Sequence, residues 1–138
     1  MTAKLPLRIS SVILFLFALG HTVGFLSFRP KSAQALEVRD AMERVPFEFG
    51  GTTAHWMDLF VGFGLAISVS GFVSAIIAWR LSRATAGEIP LARTMAWLLC
   101  AIQLGGIIIS MRYFAATQAI FSAAAAAALA WSAVKLRA

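Results

Sequence analysis

Residues 94–134 read TMAWLLCAIQLGGIIISMRYFAATQAIFSAAAAAALAWSAV, and Arg112 is the only charged side chain among these 41 residues. One straight helix of this length would measure about 61 Å, roughly twice the hydrocarbon thickness of a bilayer. The stretch therefore predicts two membrane-spanning helices with a tight turn between them, within Ser110–Gln118. Neither Gly nor Pro marks the turn inside that interval.

Two further uncharged apolar runs precede this stretch, Ile9–Phe28 and Leu59–Trp79. Backbone polar groups in lipid must pair within their own segment, so each run predicts an α-helix. The runs also lack the alternation of apolar and polar residues that a membrane β-barrel requires. We therefore expect a single all-α domain over residues 1–138, a four-transmembrane-helix bundle with spans at about 9–28, 56–79, 92–110 and 116–134.

The composition agrees with a membrane protein. Hydrophobic residues make up 60% of the chain and charged residues 13%, against about 45–50% and about 25% in soluble domains. The net charge of +6 would suggest nucleic acid in a soluble protein, but in this chain it is read as the flanking charge that orients membrane helices. We expect the lipid bilayer as partner and no nucleic acid. Cys100 is the single cysteine, so an intramolecular disulfide is excluded.

The basic residues predict the orientation of the spans. With the N-terminus inside, seven basic residues lie inside with Glu88 as the only acid, and five lie outside, mostly mixed with acidic residues. This bias predicts a multi-pass protein of the bacterial inner membrane, N-in and C-in. A cleaved secretory signal ending near Ala33-Gln34-Ala35 is the alternative for the first run. That run is longer than a usual signal core, which favours a retained helix.

The loop between the first two spans is the main polar segment. Ser32–Arg44 predicts a short amphipathic helix in this extracytoplasmic loop, with Ser32 as N-cap and Pro46 as its stop. Gly50-Gly51 follows, free to adopt positive φ, and predicts a hinge.

Polar side chains near the membrane are the candidates for function, because burying them in lipid is costly. Under the N-in topology the candidates lie in the outer third of the bundle: His21, His55, Asp58, Gln103, Arg112 and Tyr113. We expect His21 and Asp58 to be partners across the first two helices. The cluster fits an interhelical hydrogen-bond network, a pocket for the polar head of an apolar ligand, a metal or haem site, or a proton relay.

The leading functional hypothesis is a membrane binding or accessory protein with an outer-leaflet pocket for a lipid-like ligand. The alternatives are an enzyme acting on a lipophilic substrate, with His21 as acid or base and Asp58 orienting it, and a structural subunit of a membrane complex. We lean towards a protein that is not an enzyme, and we expect no cofactor. Haem or a divalent metal held by His21 and His55 is disfavoured, because the two histidines lack a diagnostic spacing.

Small residues in the second and third spans predict close helix contacts. Such residues let helices approach within the bundle, or between subunits of a homo-oligomer or larger complex. The candidates for packing are Gly62, Gly64, Ala66, Gly71, Gly105 and Gly106.

Two motifs carry a resemblance to a known family. They are Gly20-His21-Thr22-Val23-Gly24 in the first run and the stretch WMDLFVGFGL, residues 56–65, at the second. Together they resemble a family of small, uncharacterised four-helix bacterial membrane proteins with a GHTxG element and an aromatic-x-D-x-x-x-GFGL element. The resemblance covers roughly the first 80 residues and implies a four-span fold without an established activity. A looser likeness to DoxX-type four-helix proteins rests on architecture.

Overall fold

The computed structural model describes residues 3–114 and 116–136 of the chain. Within these residues the chain forms five α-helices, one 3-10 turn and one β-hairpin. The elements are α1 (Lys4–Ser27), α2 (Ala33–Arg44), β1 (Pro46–Phe49), β2 (Thr52–His55), α3 (Trp56–Leu81), the 3-10 turn (Ala86–Glu88), α4 (Ile89–Tyr113) and α5 (Ala116–Lys135).

The four long helices α1, α3, α4 and α5 are long and apolar enough to cross a membrane. In α1, α3 and the stretch that contains α4, only 22% of the most apolar window is buried inside the protein, and in α5 39% is buried. Large apolar side chains therefore cover the outside of the bundle, as lipid requires and water opposes. The chain is a four-helix membrane bundle, and α4 gives way to α5 inside the predicted interval.

The helices pack in the order α3–α1–α5–α4. Helix α1 packs against both α3 and α5, and α5 also packs against α4, whereas α3 and α4 meet only sparsely. The bundle therefore has an open seam between α3 and α4.

One half of the bundle is tightly packed, and we call it the closed half. It contains the starts of α1 and α4 and the ends of α3 and α5. Ala78, Ala96 and Leu129 have no exposed surface there. Alanine side chains let the helix backbones approach each other, and the Ser11 hydroxyl donates a 2.7 Å hydrogen bond across α1–α3 to the Ala75 carbonyl. The other half, which carries α2 and the hairpin, is called the open half.

Glycines set the contact between α1 and α3. A Cβ added to Gly71 would lie 2.9 Å from the Cβ of Ala18, and one added to Gly64 would overlap the Phe25 ring. These two glycines therefore hold the helices at a distance that no larger residue allows without a shift.

The other predicted packing residues differ from one another. A Cβ on Gly106 would lie 3.2 Å from the Ser122 hydroxyl, so Gly106 faces α5. Among the described residues, a Cβ on Gly62 or Gly105 would meet no atom beyond its own helix backbone within 4 Å, and Ala66 is exposed. These three residues therefore make no close contact of the kind that Gly64, Gly71 and Gly106 make, and their packing against another subunit stays a prediction.

The segment expected to be a hinge is a β-hairpin, so the fold is not purely helical. β1 and β2 pair antiparallel, with Phe49 opposite Thr52. Gly50 and Gly51 form the two-residue turn with φ of +60° and +80°. Positive φ at both turn positions matches the twist of the strands, and glycine adopts it without a Cβ penalty. Before the hairpin, α2 begins at a Ser32 hydroxyl that accepts from the Ala35 N–H at 3.2 Å.

Candidate ligand site

His21 lies on the face of α1 that contacts α3. Its Nδ1 is 3.1 Å from the hydroxyl oxygen of Ser68. The Ser68 hydroxyl also donates to the Gly64 carbonyl at 3.3 Å. A hydroxyl has only one hydrogen, so when Ser68 donates to Gly64 it accepts from the His21 tautomer that carries its proton on Nδ1. In that tautomer the Nε2 atom of His21 is left as an acceptor.

Aromatic rings hold His21 on both sides along α1. The Phe25 ring is stacked at 5.7 Å between centroids, and the Phe17 ring lies at 5.9 Å. Residues four apart on a helix are neighbours on one face, so the sequence itself places His21 between the two phenylalanines. The half-buried imidazole is therefore fixed by ring contacts and by Ser68.

Asp58 has a different role from the one expected. Its Oδ2 accepts a 2.8 Å hydrogen bond from the His55 N–H, and the Nδ1 of His55 lies 3.4 Å from the same oxygen. The two residues form a capping box at the start of α3. The carboxylate satisfies a free backbone donor there and lies at the positive end of the helix dipole.

The predicted partnership of His21 with Asp58 is therefore wrong, and the alignment of the helices gives the reason. His21 faces Ser68 and Ala18 faces Gly71, so α1 and α3 are antiparallel, and residue numbers rise along one helix as they fall along the other. By the same alignment, Asp58 lies opposite position 31, which is beyond the end of α1 at Ser27. Ten residues of α3 separate Asp58 from Ser68, about 15 Å along the axis.

His21 lines a cavity in the open half, and we call it the His21 cavity. Its volume is about 570 Å³, within the range of roughly 300–1,000 Å³ typical of small-molecule sites. Aromatic and small residues from α1 and α3 form most of the wall, and within residues 3–114 and 116–136 no Asp, Glu, Lys or Arg lines it. A Cβ on Gly20 or Gly24 would meet no atom within 4 Å. Glycine at these two positions therefore helps to keep the space open.

Gln118 supplies the second polar group of the His21 cavity. It lies in the first turn of α5, and its Oε1 is buried without a hydrogen-bond partner in the part of the chain that the structure describes. An unsatisfied buried polar group costs about 1–3 kcal/mol. A ligand that donates a hydrogen bond to this oxygen would remove that cost.

A cleft along the α3–α4 seam adjoins the His21 cavity. It has a volume of about 450 Å³ and contains Gln103, one of the predicted candidates. The cleft and the cavity share four wall residues: Phe63, Ile67, Phe114 and Gln118. Gln103 and His21 thus lie on one connected region of the open half.

The remaining candidates lie elsewhere. The Arg112 guanidinium stacks 5.4 Å from the ring of its neighbour Tyr113, and both side chains are exposed at the end of α4. His55 precedes Ser68 by thirteen residues, about 20 Å along α3, so it cannot share an ion with His21. In residues 3–114 and 116–136, no three His, Cys, Asp or Glu side chains are grouped to hold a metal ion.

The candidates chosen from the sequence leave out two residues of the site. Serine hydroxyls in helices commonly bond to their own backbone, so the sequence gives no sign of a role for Ser68, which makes such a bond while also holding His21. Gln118 was visible as an amide near the start of an apolar run. Only the position of α5 against α1 and α3 shows that this amide points into the bundle.

No model of a known protein family, no curated protein and no solved structure matches this chain. Function is therefore argued from the cavity and the residues that line it.

Proposed function

We propose that this protein is a small integral membrane protein that binds a lipid-like ligand in the His21 cavity. The observation that carries the proposal is an apolar cavity of about 570 Å³ lined by His21 and by Gln118, whose buried Oε1 has no hydrogen-bond partner among the described residues. Apolar walls supply most of the affinity in such sites, and a few placed polar groups fix the orientation of the ligand.

The polar groups of the cavity define the head of the ligand. The amide oxygen of Gln118 is free to accept a hydrogen bond, and Nε2 of His21 accepts one in the tautomer whose Nδ1 carries the proton and donates to Ser68. The described residues of the wall include no carboxylate, lysine or arginine. A neutral head group with a hydroxyl donor, attached to an apolar tail, meets these requirements.

The environment of His21 favours binding over catalysis. The enzyme hypothesis needed Asp58 to orient His21 as an acid or base, but Asp58 caps α3 instead. A neutral serine hydroxyl holds the imidazole, and a serine gives less support to an imidazolium than a carboxylate does. The proposal therefore assigns His21 to recognition of the ligand.

The proposal places the protein in a bacterial inner membrane, N-in and C-in, with the open half in the outer leaflet. Labelling of Glu37→Cys on α2 and Gly87→Cys in the 3-10 turn tests this, after Cys100→Ala has removed the native thiol. Glu37 and Gly87 are exposed at opposite ends of the bundle. An impermeant thiol reagent added to intact cells should label only Glu37→Cys. Labelling of Gly87→Cys alone would reverse the orientation.

Lipid analysis of the purified protein tests the ligand. Wild-type protein extracted in mild detergent should carry one enriched lipid-like species per chain, identified by mass spectrometry. Gln118→Leu and His21→Phe should each lose it, because each removes a polar contact and keeps the bulk. Gln34→Leu, an exposed substitution on α2, is the matched control and should retain it. If wild type carries no enriched species, or if all variants retain it, the proposal is wrong.

A further inference from the structure

A second cavity lies where α2 folds over the end of α1 and the start of α3. Its volume is about 600 Å³. Apolar side chains from all three helices form its walls, among them Leu26, Val38, Met42, Met57 and Val61. We call it the basic cavity, because its lining also contains basic residues.

Three cations line the basic cavity: Arg29, Lys31 and Arg39. Of the residues that the structure describes, no Asp or Glu lines it. The Nη1 atoms of Arg29 and Arg39 both donate to the Phe28 carbonyl, at 3.2 Å and 3.3 Å. One carbonyl thus holds two guanidinium groups of like charge beside each other, and an anion bound between them would relieve their repulsion.

Among the described residues, one ion pair involves these cations. Glu43 accepts from Nε of Arg39 at 3.2 Å, one turn further along α2. Glu43 is exposed and does not line the cavity. The lining itself therefore presents three cations at the mouth of an apolar space.

We propose that the basic cavity binds an anionic phospholipid, with the phosphate held by Arg29, Lys31 and Arg39 and an acyl chain on the apolar walls. Guanidinium groups match phosphate oxygens in charge and in hydrogen-bond geometry. The apolar walls assign the anion to a lipid, since a free phosphate ion would leave them uncovered. The cavity also lies where α1 ends and the polar loop begins, the level at which lipid head groups meet a spanning helix.

This site is separate from the His21 cavity. None of the three cations lines the His21 cavity, and the walls that the two spaces share are aromatic: Phe25, Phe28 and Phe60. The inference therefore does not rest on the proposed function, and variants of Gln118 and of Arg39 test the two sites independently.

Titration of the delipidated, detergent-solubilised protein tests the charge requirement, with native mass spectrometry as the readout. The probes are dioleoyl phosphatidylglycerol and, as the zwitterionic control, dioleoyl phosphatidylcholine. We expect a one-to-one adduct with phosphatidylglycerol and at least tenfold weaker binding of phosphatidylcholine. Arg29→Gln and Arg39→Gln should each weaken phosphatidylglycerol binding about tenfold, the effect of one lost charge-assisted hydrogen bond.

Arg44→Gln is the matched control for Arg39→Gln. Arg44 is exposed on the same helix, bonds to the Asp40 carbonyl and does not line the cavity. Its loss should change the affinity less than about twofold. An equal loss in all three arginine variants would show general surface attraction and overturn the proposal. Equal binding of the two lipids would also overturn it.

The acyl-chain half of the proposal is tested by filling the cavity. Ala35 lines the space and Ala33, on the same helix, does not. Ala35→Trp should abolish the phosphatidylglycerol adduct, and Ala33→Trp should keep it, with circular dichroism confirming equal helix content. Unchanged binding of phosphatidylglycerol by Ala35→Trp would show that the acyl chain does not occupy this cavity. Inorganic phosphate that competes as strongly as the lipid would show a free-phosphate site instead. Gln118→Leu should leave this binding unchanged.

Discussion

The closed and open halves of the bundle are made from the same four helices but from different side chains. In the closed half, alanines and a few leucines bring the backbones together, and Ala78, Ala96 and Leu129 are wholly inside. In the open half, phenylalanine rings and glycines stand at the contacts, and cavities of several hundred cubic ångströms lie between the helices. Small side chains of similar size let the helices pack without gaps, whereas large rings beside glycines leave cavities between the helices.

The difference separates stability from binding. A residue enclosed in the closed half contributes through packing, since its removal leaves a void that lipid cannot fill. A polar residue in the open half contributes little packing and carries an unsatisfied group, the pattern expected of a site that binds something else. The following experiments would break or sharpen this division.

The largest expected effect is that of Leu129→Ala in the closed half. Leu129 has no exposed surface, and truncation of a buried leucine costs about 2–5 kcal/mol of unfolding free energy. Leu104→Ala on α4 is the control, because Leu104 is 52% exposed and its loss should cost within about 0.5 kcal/mol. Unfolding in mixed detergent micelles measures both. Equal losses would mean that the closed half is not the stabilising core.

Next in size is the effect of a methyl group at the α1–α3 contact. Gly71→Ala should destabilise the fold by about 1–3 kcal/mol through overpacking, because the obstructing atom belongs to the short Ala18 side chain. Gly64→Ala should cost less, since the Phe25 ring in its way can rotate. Gly62→Ala has open space and should be neutral or stabilise by up to about 1 kcal/mol from helix propensity. If the thermal unfolding midpoint of Gly62→Ala falls as far as that of Gly71→Ala, Gly62 packs against another subunit.

Gln118→Leu should stabilise the protein rather than destabilise it. The amide of Gln118 has a buried, unpaired oxygen, and leucine is an apolar side chain of similar size. The substitution should therefore raise the unfolding free energy of the delipidated protein by about 1 kcal/mol. The same variant should lose the co-purifying ligand. Gln34→Leu should change neither property. A fall in the stability of Gln118→Leu would make Gln118 a structural residue rather than part of a binding site.

The smallest expected effect is the coupling between His21 and Asp58. Asp58→Ala alone should cost about 1 kcal/mol through loss of the capping box. Because the two side chains lie at different depths, the double variant His21→Ala/Asp58→Ala should show losses that add within about 0.5 kcal/mol. His21→Ala with Ser68→Ala should instead fall short of additivity, because Ser68 holds the ring. A coupling above 1 kcal/mol between His21 and Asp58 would contradict the helix alignment.

The spans were predictable from sequence because lipid acts on every residue of a helix. Each spanning segment must be apolar over about 20 residues, and that demand is visible in the chain without any partner. The alignment between helices depends instead on where two surfaces fit, here Gly71 against Ala18. Neither Gly71 nor Ala18 alone indicates that the two residues meet. The sequence placed His21 and Asp58 in the same outer third of the bundle, and that placement paired His21 with the wrong side chain of α3.

The missed hairpin and the basic cavity show two further limits. Two glycines between short stretches with aromatic or threonine residues are a hairpin signal. The strands have only four residues each, so their pattern is weaker than that of the neighbouring helices, and the sequence predicted only a hinge. The cations of the basic cavity were seen only as loop charge. Arg29 and Arg39 are brought together because α2 folds back over the end of α1, a tertiary event that local patterns do not contain.

Under the proposed function, the sparse contact between α3 and α4 gives the ligand of the His21 cavity its route of entry. The cleft along this seam shares wall residues with the cavity, so a lipid-like ligand would enter sideways from the bilayer and its apolar tail would not cross water. Occupancy of the cavity would then follow the mole fraction of the ligand among the surrounding lipids rather than its aqueous concentration. A scarce ligand would have to be preferred over the abundant lipids. The proposed basis of that preference is a hydroxyl group that donates to Gln118 and His21 and that the abundant lipids lack. The competitors of the ligand would therefore be the lipids that surround the bundle.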